Sequence, residues 1–328
     1  MYDVIGIGNP LMDVLVKVDD KTISNLNLKK GSMHLIDEET SKNILKSFNE
    51  DSLLLVPGGD VVNTVTGIAN LGGKSVFCGK VGDDEHGLLI EKIMTKDGVK
   101  TSLVKGTLKT GSAISLVTPD QERTFATHLG SAITLSKDEV IIKDIKNSKI
   151  LYVTGYVLED PNLRKMALKA LNEAKKHNTL VAIDVSDPSL VERCKDDLKK
   201  ILLEFADIVF ANEEEVVSLT GKSKEEGLEE FSKLADIAVV KIGKEGALIN
   251  NRGTVYKIKG FKVDAVDTTG AGDLFAAGFL FGLTNGYNIE KSGLIGNYIA
   301  SKTVQQLGAR LSYSLKKDIK KLFLEENL

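Results

Sequence analysis

The stretch Asp267-Thr268-Thr269-Gly270-Ala271-Gly272-Asp273, running on as Leu274-Phe275-Ala276-Ala277-Gly278-Phe279-Leu280-Phe281-Gly282, joins two signals. In its first half, two glycines and an alanine let backbone N–H groups converge without side-chain obstruction at the start of a helix. The partial positive charge of the helix end adds to them, and the result is an anion cradle whose natural guest is phosphate. In its second half, residues apolar almost all the way round describe a helix buried in the body of a large domain. Asp273 stands in the first turn. It reads either as a helix-start charge, worth about 0.3–1 kcal/mol, or as a base placed to take a proton from a hydroxyl beside the cradle, which phosphoryl transfer requires. No Gly-Lys-Ser/Thr follows, so the loop is not a Walker A motif.

Upstream of this stretch, short Val- and Ile-rich runs alternate with longer helical patterns, the signature of parallel strands joined by crossover helices. Strands are predicted over 4–8, 75–78, 150–154, 180–184, 207–211 and 238–242, and helices over 61–71, 85–96, 162–177, 190–204 and 213–219. In 162–177, Leu163, Met166, Ala167, Ala170, Leu171 and Ala174 follow the spacing of one buried face. Two regions break the alternation. Residues 13–35 and 107–128 carry β-prone residues without a long helix, and the second reads as a hairpin reversing at Pro119-Asp120-Gln121-Glu122. Together they predict a small β lid over one end of an α/β body with a mostly parallel central sheet. A last helix is expected over 289–307, stopped by Gly308. Without repeats or a Pro/Ser-rich linker, the expected organisation is one large catalytic domain over 1–328 rather than two tethered units.

Composition narrows the functions. The 328 residues are 42% hydrophobic, material for a core that buries roughly three quarters of the unfolded surface. Lys and Arg number 43 against 46 Asp and Glu, a net charge of −3, without the basic excess that a nucleic-acid backbone demands. Cys78 and Cys194 are the only cysteines and share no metal-ligand spacing, which fits a reduced cytosol rather than a zinc or disulfide framework. Nor do His34, His86, His128 and His177 show ligand spacing. The N-terminus lacks the basic region and cleavage site of a signal peptide, and no run approaches the roughly 18 apolar residues of a membrane span. A soluble, cytoplasmic protein without membrane or nucleic-acid partners is expected.

Residues 267–282 resemble the C-terminal signature of the ribokinase-like, or PfkB-type, family of carbohydrate and nucleoside kinases. Pro57-Gly58-Gly59, Asn63, Gly72-Gly73 and the run Gly79-Lys80-Val81-Gly82-Asp83-Asp84-Glu85-His86-Gly87 resemble its N-terminal pattern. Asn212-Glu213-Glu214-Glu215 resembles its Asn-x-x-Glu element, and Val240-Lys241-Ile242-Gly243-Lys244-Glu245-Gly246-Ala247 its nucleotide-side turn. These motifs stand in family order across nearly the whole chain. The resemblance implies a ribokinase-like three-layer α/β/α fold and an ATP-dependent phosphotransferase.

By that resemblance Asp273 is the catalytic base, and the amides of Gly270, Ala271 and Gly272 form the anion hole. Asp13 accepts from substrate hydroxyls, while Gly58, Gly59 and Asn63 lie against the acceptor. Lys241, Gly243, Gly246 and Asn297 match nucleotide contacts. Asn212 and Glu215, three apart at a helix start, can face the same way and orient Mg2+ or phosphate through water. Asp267 and Thr269 fall at a monovalent-cation site, such as one for K+, found in many members. Arg123 reads either as a cation over substrate or phosphate or as a solvated turn residue. The segments 8–13, 31–39 and 127–132 look most like adenosine-kinase-like members, so the expected acceptor is the 5′ hydroxyl of a nucleoside, with a free sugar such as ribose or fructose as the alternative. A non-catalytic binding protein on the same scaffold is a further reading, which the intact Asp273 argues against. Asp60 departs from the pattern, since many relatives carry a small residue there, and its charge disfavours an already phosphorylated acceptor. Lid strands with open edges often pair between subunits, so the chain is expected as a monomer or a lid-paired homodimer.

Overall fold

Val4, Ile5 and Ile7 are all fully buried, so the first strand has no wet face and must lie in a sheet covered on both sides. The computed structural model describes residues 1–49, 51, 53–120 and 122–325. Along the chain its strands are β1 (Tyr2–Ile7), β2 (Leu11–Lys17), β3 (Met33–Leu35), β4 (Leu54–Gly58), β5 (Ser75–Gly82), β6 (Lys100–Gly106) and β7 (Thr110–Val117). They continue as β8 (Arg123–Gly130), β9 (Ser148–Thr154), β10 (Leu180–Asp184), β11 (Ile208–Asn212), β12 (Ile237–Lys241), β13 (Gly246–Asn251) and β14 (Thr254–Lys259). Nine of them form one sheet in the order β14-β13-β12-β11-β10-β9-β1-β5-β6. It is parallel except for the closing meander, where β12, β13 and β14 pair antiparallel.

The strand faces split the core. Ile5, Ile7, Leu151 and Val153 pack with the helices Pro161–Lys176 and Pro188–Phe205. Val4, Ile150 and Phe210 pack on the other side with Asp60–Asn70, Ala271–Thr284 and Ile289–Thr303. Helix, sheet and helix thus make three layers, the ribokinase-like arrangement. The Ala271–Thr284 helix is buried continuously from Leu274 to Gly282, as its all-round apolarity requires, and Phe279 meets Phe210 edge-on at 5.6 Å between centroids. The last long helix ends at Thr303, short of the expected 307. The cause is competition for its final carbonyls: Val304 O accepts from the amides of Val266 and Asp267, and Gly308 lies in the loop beyond. Among the described residues no helix is long and apolar enough to cross a membrane.

The other five strands form a separate sheet, β3-β8-β7-β2-β4. Its hairpin β7–β8 reverses where expected, with Thr118 N donating to Glu122 O at 3.0 Å and its hydroxyl to Asp120 at 2.6 Å; Gln121 of that turn lies outside the described residues. Val14, Val16, Ile114, Leu116 and Ala126 fill one face, against Ile23 and Ile44 of the short helices Asp20–Asn25 and Glu38–Lys46. The first insert is longer than the 13–35 expected. It begins at Leu11 and returns through β4, which leads directly into the Asp60–Asn70 helix of the body, so the seam between the two sheets carries Asp13 and the Gly58-Gly59 pair.

Candidate active site

The Asp60–Asn70 and Ala271–Thr284 helices begin side by side. Neither has a side-chain cap, and the Thr64 hydroxyl touches the carbonyls of both Asp60, at 3.1 Å, and Asp273, at 3.2 Å. Gly270 precedes the second helix with φ +73°, a left-handed conformation that admits glycine at little cost. Its neighbour Ala271 donates to Thr268 O at 3.2 Å. Among the described residues, the amides of Gly270, Gly272 and Asp273 have no such partner. Of the anticipated trio, the Ala271 N–H is engaged within the loop, while the Asp273 N–H also stands free, as a helix start provides.

Asn63 Nδ2 donates to Asp273 Oδ2 at 2.9 Å, which fixes one carboxylate oxygen and leaves the other for a proton. Stripping water from this carboxyl, together with the negative charge of Asp60, raises the Asp273 pKa to about 8, against the pull of the Asn63 hydrogen bond. At the seam, a Cβ on Gly58 would collide with the Asp13 carboxylate, so the glycine makes room for that side chain. Burial raises Asp13 to about 7, with Arg123 and Arg310 near enough to oppose the shift.

Behind the loop opens a cavity of about 1210 Å³, larger than the roughly 300–1,000 Å³ typical of a single small-ligand site. Asp273, Gly272, Lys241, Gly243, Gly246 and Asn297 reach its wall, which gathers the expected nucleotide-side residues in one place. Lys241 Nζ stands so close to the loop that a Cβ on Gly272 would lie 3.1 Å from it. It donates to Asp184 at 2.8 Å, and although burial opposes its charge, Asp184 and Glu215 outweigh that and raise its pKa. Asp184 was not singled out from the sequence. Its signal was its position at the carboxyl end of a parallel strand, where ligands of open α/β sheets gather. Asn297 spends its amide on the carbonyls of Ile258 and Lys259, both at 3.2 Å, and so braces the end of β14.

Asn212 and Glu215 do face the same way. They form a reciprocal helix cap, with Glu215 accepting from Asn212 N at 2.8 Å and from its side-chain amide at 2.7 Å. Desolvation raises Glu215 to about 7. Among the described residues no group of three or more His, Cys, Asp and Glu can hold a metal ion. Mg2+ usually keeps water and phosphate oxygens and takes only one or two carboxylates, so Glu215 and Asn212 still fit that ion through water.

A monovalent cation fits Asp267 poorly. One oxygen of Asp267 accepts from Thr269 N at 3.0 Å. The other accepts from Gly308 N at 2.6 Å and from Arg123. Two backbone N–H donors and a guanidinium already satisfy the carboxylate, which speaks against the expected K+ there. Arg123 is not a solvated turn residue either: its side chain is 9% exposed, and Asp267 is its ion-pair partner.

A parallel α/β body, a helix start with free amides and a carboxylate held beside them define a phosphotransferase. The chain belongs to the pfkB family of carbohydrate kinases, whose model matches residues 31–316. It is 32% identical over 262 residues to the 5-dehydro-2-deoxygluconokinase of Bacillus subtilis, covering 76% of this chain and 81% of that one. The crystal structure of adenosine kinase from Sinorhizobium meliloti superposes with a TM-score of 0.92 at 30% identity, over 98% of this chain and 99% of that one. A probable sugar kinase from Rhizobium etli superposes with a TM-score of 0.93 at 31% identity, over 98% and 99%. The protein is an ATP-dependent phosphotransferase of the sugar-kinase class.

Proposed function

We propose that the chain transfers the terminal phosphoryl group of ATP to the hydroxymethyl group of a nucleoside, with Asp273 as general base. The free amides of Gly270, Gly272 and Asp273 lie where charge develops on the transferred group, and Lys241 adds a cation at the same wall. Asp13 accepts from acceptor hydroxyls, and Arg123 reaches the junction of lid and loop. Mg2+, when bound through Asn212 and Glu215, neutralises charge on the nucleotide phosphates.

One observation favours a nucleoside over a free sugar. The lid face opposite its two short helices is largely apolar next to Asp13. Leu15 pairs in register with Leu54 and Ser115, and Phe125 with Ser115 and Met33, so Leu54, Leu15, Phe125 and Met33 share one row and one face. That row lies one pleat beyond Asp13, about where a base attached to a bound ribose would project. A free sugar has nothing to place there. The similarity to the Bacillus subtilis kinase supports the alternative, a sugar or sugar-acid acceptor. ADP release measured over a panel of adenosine, other nucleosides, ribose, fructose and 5-dehydro-2-deoxygluconate separates the two: turnover of nucleosides is expected, and turnover confined to free sugars or sugar acids overturns the nucleoside reading. Whether the edges of β3 and β4 stay open in a monomer or pair in a dimer is read by sedimentation.

A further inference from the structure

Leu54, Leu15, Ser115, Phe125 and Met33 make the row of the lid face beyond Asp13. In the next row outward Val117 pairs with both Lys17 and Arg123, and strand alternation puts Arg123 on the same face as Phe125. The Arg123 side chain does not run out to solvent. It folds back over the first row, where Nη1 donates to Ser115 Oγ at 3.2 Å, and ends on Asp267 of the anion loop. The Arg123 side chain is 9% exposed and Ser115 is buried. Guanidinium and hydroxyl are thus the polar groups laid on a row whose other side chains are apolar.

Resting on the reading of the acceptor as a nucleoside, we propose that Arg123 and Ser115 select its base, taking a 6-oxopurine, as in inosine or guanosine, in preference to adenine. A guanidinium donates and never accepts. One of its N–H groups goes to Ser115 and one to Asp267, and the fork has others to give. Because Ser115 Oγ accepts from Arg123, its own O–H is a second donor on the same row. The oxygen at position 6 and the neighbouring N7 of a 6-oxopurine are adjacent acceptors, the pair that an arginine fork matches. Adenine carries an amino group at position 6, so donor would meet donor in a buried site. The nearby carboxylates are engaged elsewhere: Asp13 by the acceptor hydroxyls, and Asp267 by Arg123, Thr269 N and Gly308 N. Phe125 offers every purine the same stacking face, so the choice among purines falls to the polar pair.

The test is kcat/KM for inosine, guanosine, adenosine and ribose, by ADP release, in the wild type, Arg123→Gln and Ser115→Ala. In the wild type both 6-oxopurine nucleosides should exceed adenosine by at least about tenfold. An amide side chain carries a donor and an acceptor, so Arg123→Gln should bring the three nucleosides level, chiefly through KM; a residue that only held lid to body would change all three by one factor. Ser115→Ala leaves the ion pair with Asp267 whole and should narrow the preference, which keeps the test open if Arg123→Gln does not fold. Adenosine turned over by the wild type as well as inosine overturns the choice of base and leaves the nucleoside reading standing. A preference that survives unchanged in every variant that folds overturns the assignment to Arg123 and Ser115. Turnover of ribose alone refutes the nucleoside reading, and the base selection with it.

Discussion

At the scale of single residues, the site keeps carboxyls in places that cost stability. Burial, with the nearby charge of Asp60, pushes the Asp273 carboxyl from the usual carboxylate range up to about 8. Below about pH 4 both folded and unfolded chains hold this proton, and the raised value then favours folding. As pH climbs toward 8 the unfolded chain releases the proton first, so that stability is lost. Asp273→Asn should therefore stabilise the fold more at about pH 9 than at about pH 4, seen as a larger rise in Tm at the higher pH; equal rises contradict the raised pKa. Asp273 and its loop could be read from sequence because they are contiguous and chemically distinctive. Asp60 showed only as a departure from a pattern. That it shares the floor of the site with Asp273 follows from the packing of two helices whose starts lie more than two hundred residues apart, and no local signal encodes that.

Among the elements, the parallel strands and the Pro161–Lys176 helix followed from periodicity because burial imposes it. β4 and β6 escaped for opposite reasons. Leu54-Leu55-Val56 runs into Pro57-Gly58, which reads as a turn. Lys100-Thr101-Ser102-Leu103 has little apolar content because β6 closes one edge of the main sheet. The lid face carries the clearest element-scale prediction. Stacking of a base on an aromatic ring is worth about 1–3 kcal/mol, and each 1.4 kcal/mol is about tenfold. Phe125→Ala should then raise KM for a nucleoside about tenfold with kcat little changed; an unaltered KM would place the base elsewhere.

For the whole molecule, lid and body are joined by the buried pair of Arg123, from the lid strand β8, with Asp267, from the loop that leads to Asp273. These residues are 144 positions apart, and nothing local in the sequence joins them: Arg123 reads as a contact to substrate or phosphate or as a turn residue, and Asp267 as a cation ligand. Removing one partner of a buried pair costs about 3–5 kcal/mol. Asp267→Asn, which also weakens the acceptor for Gly308 N and Thr269 N, should lower unfolding stability by about that much in urea, and a loss under about 1 kcal/mol would show the pair to be incidental. Because Arg123 already supplies the positive charge, replacing K+ with a bulky organic cation should leave the rate unchanged; strong activation by K+ contradicts that arrangement. All of this serves the carboxylate held beside free amides at the start of the Ala271–Thr284 helix. The most direct test is kcat of Asp273→Asn, by ADP release with whichever panel compound the wild type phosphorylates, alongside ATP binding by calorimetry. A loss of at least about a hundredfold with ATP affinity retained is the expected result, and a rate near that of the wild type would contradict the assignment of Asp273 as the base.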